Sequence, residues 1–313
     1  MNLEKGVVTK STGSWYVVHL DNGNVLQSRI MGQFRIKGLH TKNTNPIAVG
    51  DIVKVEVSPD GTGFIVDLHD RKNYIIRRST KLSKQTQIIA ANIDHGYVMA
   101  SLFAPRTSTG FIDRFLVTAE AYGIPASVIF NKKDLLDEEE TEYVEMLLDL
   151  YRGLGYGCYL ITSTDENDIH RLQEVMAQKV NLIAGHSGVG KSTLINALIP
   201  GLELKTGEIS KVHSKGMHTT TFAEMHAVPG GGWIIDTPGI KEFGIVDMDK
   251  YELSHFFPEM RARFGKCKYH GCLHDREPGC AVREAVENSE IALTRYDCYL
   301  QILHGEELQK EYE

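Results

Sequence analysis

The segment Gly185-His-Ser-Gly-Val-Gly-Lys191-Ser192 fits G-x-x-x-x-G-K-S/T in full, and such a loop demands a strand before it and a helix after it. Its glycines let successive backbone N–H groups turn toward phosphate oxygens. Lys191 is placed to contact the β- and γ-phosphates and to support their transfer, and the Ser192 hydroxyl to ligate Mg²⁺. Ser187, Gly188, Val189, Gly190 and Thr193 complete the cradle. A helix over Ser192–Leu198 adds its N-terminal dipole to the same anion. Upstream stands Asn131-Lys132-Lys133-Asp134, the pattern that selects guanine. A carboxylate at Asp134 accepts from both the ring N–H and the exocyclic amine of that base. A wrong base leaves buried polar atoms unpaired and is rejected. In the usual chain order the phosphate loop comes first. Here the order is reversed, and Asp236-Thr-Pro-Gly239 follows the phosphate loop. The pattern predicts a circularly permuted GTP-binding domain.

Further positions follow from those anchors. Ile161-Thr-Ser-Thr164 ends a predicted strand and suits the loop that meets the guanine carbonyl, with Ser163 taken as its contact. Asp236 is expected on the Mg²⁺ side, with the Gly239 N–H turned to the γ-phosphate. Between them, Thr219, Thr220 and Thr221 offer hydroxyls to Mg²⁺, and Thr220 is taken. The polar, glycine-containing stretch from Leu204 to Met217 is expected to be a switch that orders on γ-phosphate. Many GTPases orient the attacking water with a glutamine just after the D-x-x-G glycine. Ile240 stands there and cannot hydrogen-bond, so another polar group is needed. His218 is the candidate; the alternative is a switch residue with no catalytic part.

Texture along the chain divides it into three. Residues 1–70 read as short strands with turn signals at Asp21-Asn-Gly-Asn24 and Ser58-Pro-Asp-Gly61, which suggests a small OB-like β-barrel. Residues 71–245 alternate strands and helices, as in a doubly wound, largely parallel sheet that binds ligands at strand carboxyl ends. In the helix after Asp137, Val144, Leu147, Leu148 and Tyr151 recur at i, i+3, i+4, i+7, and Gly153 is read as its cap. Residues 246–313 are expected to form a helical, metal-binding domain, whose last helix carries an apolar stripe of Leu293, Tyr296, Tyr299, Leu300 and Leu303. The fold class is thus α/β with a barrel before it and a small helical unit after it.

The net charge of −7 hides segregation. Residues 71–93 carry Arg71, Lys72, Arg77, Arg78, Lys81 and Lys84 without a carboxylate, whereas 134–149 carry eight carboxylates and no Lys or Arg. Residues 261–276 carry Arg261, Arg263, Lys266, Lys268 and Arg276 against Asp275 alone. Local basic stretches can engage nucleic-acid phosphates whatever the total charge; the alternative is a solvated face. There is no apolar run of membrane-spanning length and no signal pattern, so a cytoplasmic protein without membrane partners is expected.

Five cysteines are present, three of them clustered with a histidine, which argues for metal rather than disulfides. Cys267-x₄-Cys272-x-His274-x₅-Cys280 supplies three thiolates and an imidazole, a closed set for structural zinc. His270 or Cys298 could replace a ligand. Cys158, in a predicted strand, is read as buried.

Together these motifs closely resemble the RsgA (YjeQ/YloQ) family of circularly permuted GTPases. The likeness covers nearly the whole chain: barrel, permuted motif order, Gly-Met-His-Thr-Thr-Thr in the switch and the terminal Cys/His cluster. It implies zinc ligands at Cys267, Cys272, His274 and Cys280, a catalytic role for His218, and a hydrophobic residue in place of glutamine at Ile240. It implies a monomer that binds GTP/GDP with Mg²⁺ and engages the 30S ribosomal subunit and its 16S rRNA late in assembly. GTP hydrolysis would be stimulated by the subunit and coupled to release of assembly factors. Two other readings remain: a non-catalytic, GTP-dependent rRNA-binding checkpoint, and a P-loop enzyme phosphorylating a small molecule. The guanine-selecting loop counts against the last.

Overall fold

The computed structural model describes residues 3–31, 46–78, 86–102, 105–205, 223–236 and 249–305. Apolar–polar alternation builds the first unit from β1 (Leu3–Ser11), β2 (Tyr16–Leu20), β3 (Val25–Ile30), β4 (Ile52–Val57) and β5 (Gly63–Leu68). They run β1-β2-β3-β5-β4, and a β1–β4 pairing closes the barrel. Inward-pointing Val8, Tyr16, Val18, Val53, Val55 and Ile65 fill it. Arg71, counted above in the first basic run, is spent on this unit. Its Nε and Nη2 each lie 2.6 Å from a carboxylate oxygen of buried Asp51. Lys72 likewise pairs with Asp94, so the basic run is less available to nucleic acid than its composition suggests. The next strands, β6 (Tyr74–Arg78) and β7 (Thr86–Ala91), form a separate antiparallel hairpin.

The central sheet contains β8 (His95–Ala100), β9 (Ala126–Phe130), β10 (Gly157–Leu160), β11 (Val180–Gly185), β12 (Glu224–Ala227) and β13 (Trp233–Asp236). Their order is β10-β9-β8-β11-β13-β12, parallel except for β12. Period-two alternation sends neighbouring residues of one strand into different cores. Val98 and Ala100 pack with α1 (Thr109–Ala121) and α2 (Glu138–Gly153), while Tyr97 and Met99 pack with α3 (Glu166–Met176) and α4 (Lys191–Leu198). Helices therefore cover both faces, and the loops at the carboxyl edge are left open for a ligand. Strand β12 also meets β1, so barrel and sheet form one eleven-stranded surface.

Local chemistry fixes the helix ends. Asp137 caps α2 through Glu140 N–H at 2.9 Å, and the Glu140 carboxylate accepts from Asp137 N–H at 2.8 Å. At the other end Gly153 is the last helical residue rather than the cap; the left-handed turn falls at Gly155 (φ +93°).

The last unit holds α5 (Pro258–Arg261), α6 (Ala281–Glu287) and α7 (Leu293–His304). Phe257, Met260, Val282, Ile291 and Tyr299 form its core, and Val117 of α1 belongs to the same cluster. The predicted stripe needs correction at one end: Leu293 is exposed, whereas Arg295 is fully buried. No helix among the described residues is long and apolar enough to cross a membrane.

Candidate nucleotide and metal sites

The permuted motifs meet in space. β9 ends just before Asn131 and β11 ends at Gly185, two strands apart across β8. From there the buried Asn131 amide donates to the Val189 carbonyl of the phosphate loop at 2.9 Å. Its carbonyl oxygen accepts from the Ser163 N–H at 3.1 Å and the Ser163 hydroxyl at 2.8 Å. Ser163 thus bears on the site through Asn131. Lys132, itself left-handed at φ +67°, donates from Nζ to the Gly188 carbonyl at 3.0 Å. One asparagine and one lysine tie together three loops that are remote in sequence.

Gly190 shows why the loop needs its glycine. Its φ is +99°, and a Cβ there would stand 2.4 Å from the Asn131 amide nitrogen. The loop backbone can approach the base-side asparagine this closely only without a side chain. Ser187 and Gly188 are exposed at the tip, Val189 is buried, and Ser192 and Thr193 lie half-buried in the first turn of α4. On the flank, the His186 ring lies 3.9 Å from that of Phe111 at the start of α1.

Asp134 is exposed beside the loop after β10, and its Oδ1 accepts from the Thr162 hydroxyl at 3.1 Å. Thr162 in turn donates its N–H to Asp168 Oδ2 at 2.9 Å. Neither Thr162 nor Asp168 was singled out from sequence. The usable signal was the Asp165–Asp168 spacing at a helix start, which places a carboxylate back over the preceding loop.

Across the site, Lys191 Nζ lies 3.3 Å from Asp236 Oδ1. That oxygen is buried and, among the described residues, accepts no hydrogen bond. A buried carboxylate oxygen left with only an ammonium neighbour is the donor a hydrated divalent cation or a phosphate-bound one would take. The residues present therefore fit Mg²⁺ on this side. His218, Thr220, Gly239 and Ile240 lie outside the described residues.

A second cluster lies in the C-terminal unit. One ligand atom each from Cys267, Cys272, His274 and Cys280 falls within 4.8 Å of the others. His274 Nδ1 is 3.3 Å from Cys280 Sγ and 3.6 Å from Cys267 Sγ, and the two sulfurs are 4.0 Å apart. Burial and the adjacent Cys280 and Cys267 push the Cys272 thiol up to about 12. Three sulfurs and an imidazole this close make a donor set for a cation, and burial shifts the His274 imidazole toward its neutral, ligating form. His274 holds φ +57°, an uncommon conformation for a non-glycine residue. Tyr296 and Tyr299 of α7 maintain it, donating to the carbonyls of His274 and Leu273 at 2.6 Å each. The set fits a closed metal site. His270 and Cys298 fall outside it; Cys298 Sγ lies 4.0 Å from the Gly110 carbonyl.

Fold and site together define a circularly permuted P-loop GTPase with a barrel before it and a metal-binding unit after it. Family models agree: the RsgA N-terminal domain matches residues 5–65 and the RsgA GTPase matches residues 68–246. The chain is 53% identical to a small ribosomal subunit biogenesis GTPase RsgA of Bacteroides fragilis, covering 97% of each. Identity is 52% to that of Flavobacterium johnsoniae, over 96% of this chain and 93% of the relative. Among solved structures, YjeQ from Thermotoga maritima superposes with a TM-score of 0.78 at 33% identity, covering 97% and 98% of the two chains. YloQ, described as a circularly permuted GTPase, gives 0.74 at 30%, covering 97% and 95%. The chain belongs to the RsgA family of small ribosomal subunit biogenesis GTPases.

Proposed function

We propose that this GTPase acts as a monomeric, cytoplasmic switch in late maturation of the 30S subunit. It binds the subunit and its 16S rRNA with GTP and Mg²⁺ bound, hydrolyses GTP faster there, and leaves with the release of assembly factors. Asp134 selects guanine, Lys191 and the phosphate-loop amides hold the triphosphate, and Ser192, Thr220 and Asp236 serve Mg²⁺, with His218 aiding the attacking water. Mg²⁺, when bound, neutralises charge between the β- and γ-phosphates. The units divide as residues 1–70, 71–245 and 246–313. The observation that supports this reading is the Asn131 amide bonded to Val189, which joins the Asn131–Asp134 loop directly to the phosphate loop. Phosphate release with and without purified 30S subunits tests it: stimulated turnover is expected. Tight GTP-dependent binding without turnover would instead make the protein a non-catalytic checkpoint.

Two further outcomes are expected. Asp134→Asn exchanges one of two accepting oxygens for a donor, so GTP loses about 1–3 kcal/mol, roughly five- to 150-fold in affinity, while xanthosine triphosphate gains. Competition between the two nucleotides for a fluorescent GTP analogue measures this, and an unchanged order of preference contradicts the assignment. In the Cys/His cluster we assign structural zinc, since three sulfurs and one nitrogen suit its tetrahedral bonding. Elemental analysis should find one zinc per chain, and Cys272→Ser should lose most of it while retaining GTP binding. Full metal content in that variant would remove Cys272 from the ligand set.

A further inference from the structure

The first residue of β12 stands between two charges. Glu224 is in register with Lys10 of barrel strand β1 on one side and with Asp236 of β13 on the other. Directly opposed residues on neighbouring strands share a face, with Cβ atoms about 4.5–5.5 Å apart. The row reads Lys10, Glu224, Asp236, and Lys191 approaches its far end at 3.3 Å from Asp236. Adjacent carboxylates repel. Lys10 pairs with one of them. Its ammonium lies 3.1 and 3.0 Å from the two oxygens of Glu224 and draws that carboxylate toward the barrel. Asp236 is left with its Oδ1 unbonded beside Lys191. The seam is reinforced by the His19 ring, which meets Trp233 edge-on at 5.1 Å and 82°. Val7, Ala223 and Trp233 also pack against the same apolar core there.

We propose that Lys10, a residue of the barrel, is a positioning residue for the nucleotide site. It neutralises Glu224 and holds it away, so that Asp236 faces Lys191 and the triphosphate. The inference rests on the reading of Lys191 and Asp236 as phosphate-side residues. Shifting the barrel would free a second negative charge next to the phosphates, so GTP affinity reports on how the barrel is held.

Titration of a fluorescent methylanthraniloyl-GTP, with Mg²⁺ and in EDTA, tests the proposal without relying on turnover. Lys10→Met should weaken binding about two- to fivefold, with a smaller loss at high salt. Adding Glu224→Gln to that variant should restore the original affinity, because the unneutralised charge is gone. Glu224→Gln alone should bind at least as well as the unaltered chain. Unchanged affinity in Lys10→Met overturns the proposal. So does a double variant as weak as Lys10→Met, which would mean that Lys10 only staples the barrel. Lys191→Ala and Asp236→Asn serve as controls for the underlying site: if both bind normally, that reading fails first, and if they weaken while Lys10→Met does not, only this inference fails.

Discussion

Lys191→Ala should reduce GTP affinity by roughly thirty- to several-thousandfold, about 2–5 kcal/mol, the usual cost of truncating one partner of a buried, hydrogen-bonded charge pair. The side chain is 11% exposed and lies on the Asp236 carboxylate, so its charge acts where water screens poorly. On the proposed reading, removing it deletes the contact to the triphosphate and also leaves Asp236 as an uncompensated negative charge toward the same anion. Both effects oppose binding. Lys191→Arg should recover little, since a planar guanidinium cannot take the place of a compact ammonium at the end of a four-carbon stem. The fold should survive, because α4 stays anchored by its buried Leu194, Ile195 and Leu198. Equilibrium titration with a fluorescent GTP analogue, read beside thermal unfolding, separates the two. Near-normal GTP affinity in a folded Lys191→Ala protein would remove this lysine from the site.

How much of this was legible in the sequence depended on the range of the interaction. The phosphate loop and the guanine-selecting loop are short, and each sits at a strand end that local pattern already marks. β9 and β4, Ala126–Phe130 and Ile52–Val57, coincide with short apolar-rich runs in the sequence. The Cys/His spacing was equally local, and its four ligand atoms converge. What escaped depended on partners far along the chain. β12 has four residues, Glu-Met-His-Ala, with little strand propensity of its own; it is a strand because β13 and β1 flank it. β1 carries a glycine and two lysines in its run, and its pairing with β12 joins residues 10 and 224. One basic residue shows the same limit: composition could not tell that Arg71 would pair with buried Asp51. Thr162 lies within a loop already flagged, but its hydroxyl gains meaning only beside Asp134.

Arg295 is the clearest case of a residue whose importance only tertiary structure reveals, and its replacement should be the most destabilising single change outside the metal cluster. From α7 its guanidinium reaches Glu259 of α5 at 2.7 and 3.2 Å and Asp113 of α1 at 3.0 Å, all three being buried. Tyr151 of α2 adds a hydrogen bond to the same Asp113 oxygen at 3.0 Å, and Phe257 lies under the guanidinium at 4.8 Å. This charge therefore fastens the unit that carries the Cys/His cluster to α1, the helix whose Phe111 rests on His186 of the phosphate loop. Arg295→Met keeps most of the apolar bulk but strands two carboxylates, and a buried pair broken from one side costs about 3–5 kcal/mol. Replacing all three members (Arg295→Met, Glu259→Leu, Asp113→Asn) should return most of that loss, because the penalty comes from unpaired charge rather than missing volume. The pH dependence gives a second check. Burial pushes Asp113 up to about 6 even with Arg295 opposing it, and loss of Arg295 moves it further up. A carboxyl whose folded pKa lies above its unfolded one favours the folded state while protonated, and that contribution fades as pH rises through the folded value. Arg295→Met should therefore be destabilised less at pH 5 than at pH 8. Urea unfolding at the two pH values measures the difference. Equal losses at both, together with no recovery in the triple variant, would show that packing and not charge holds this joint together.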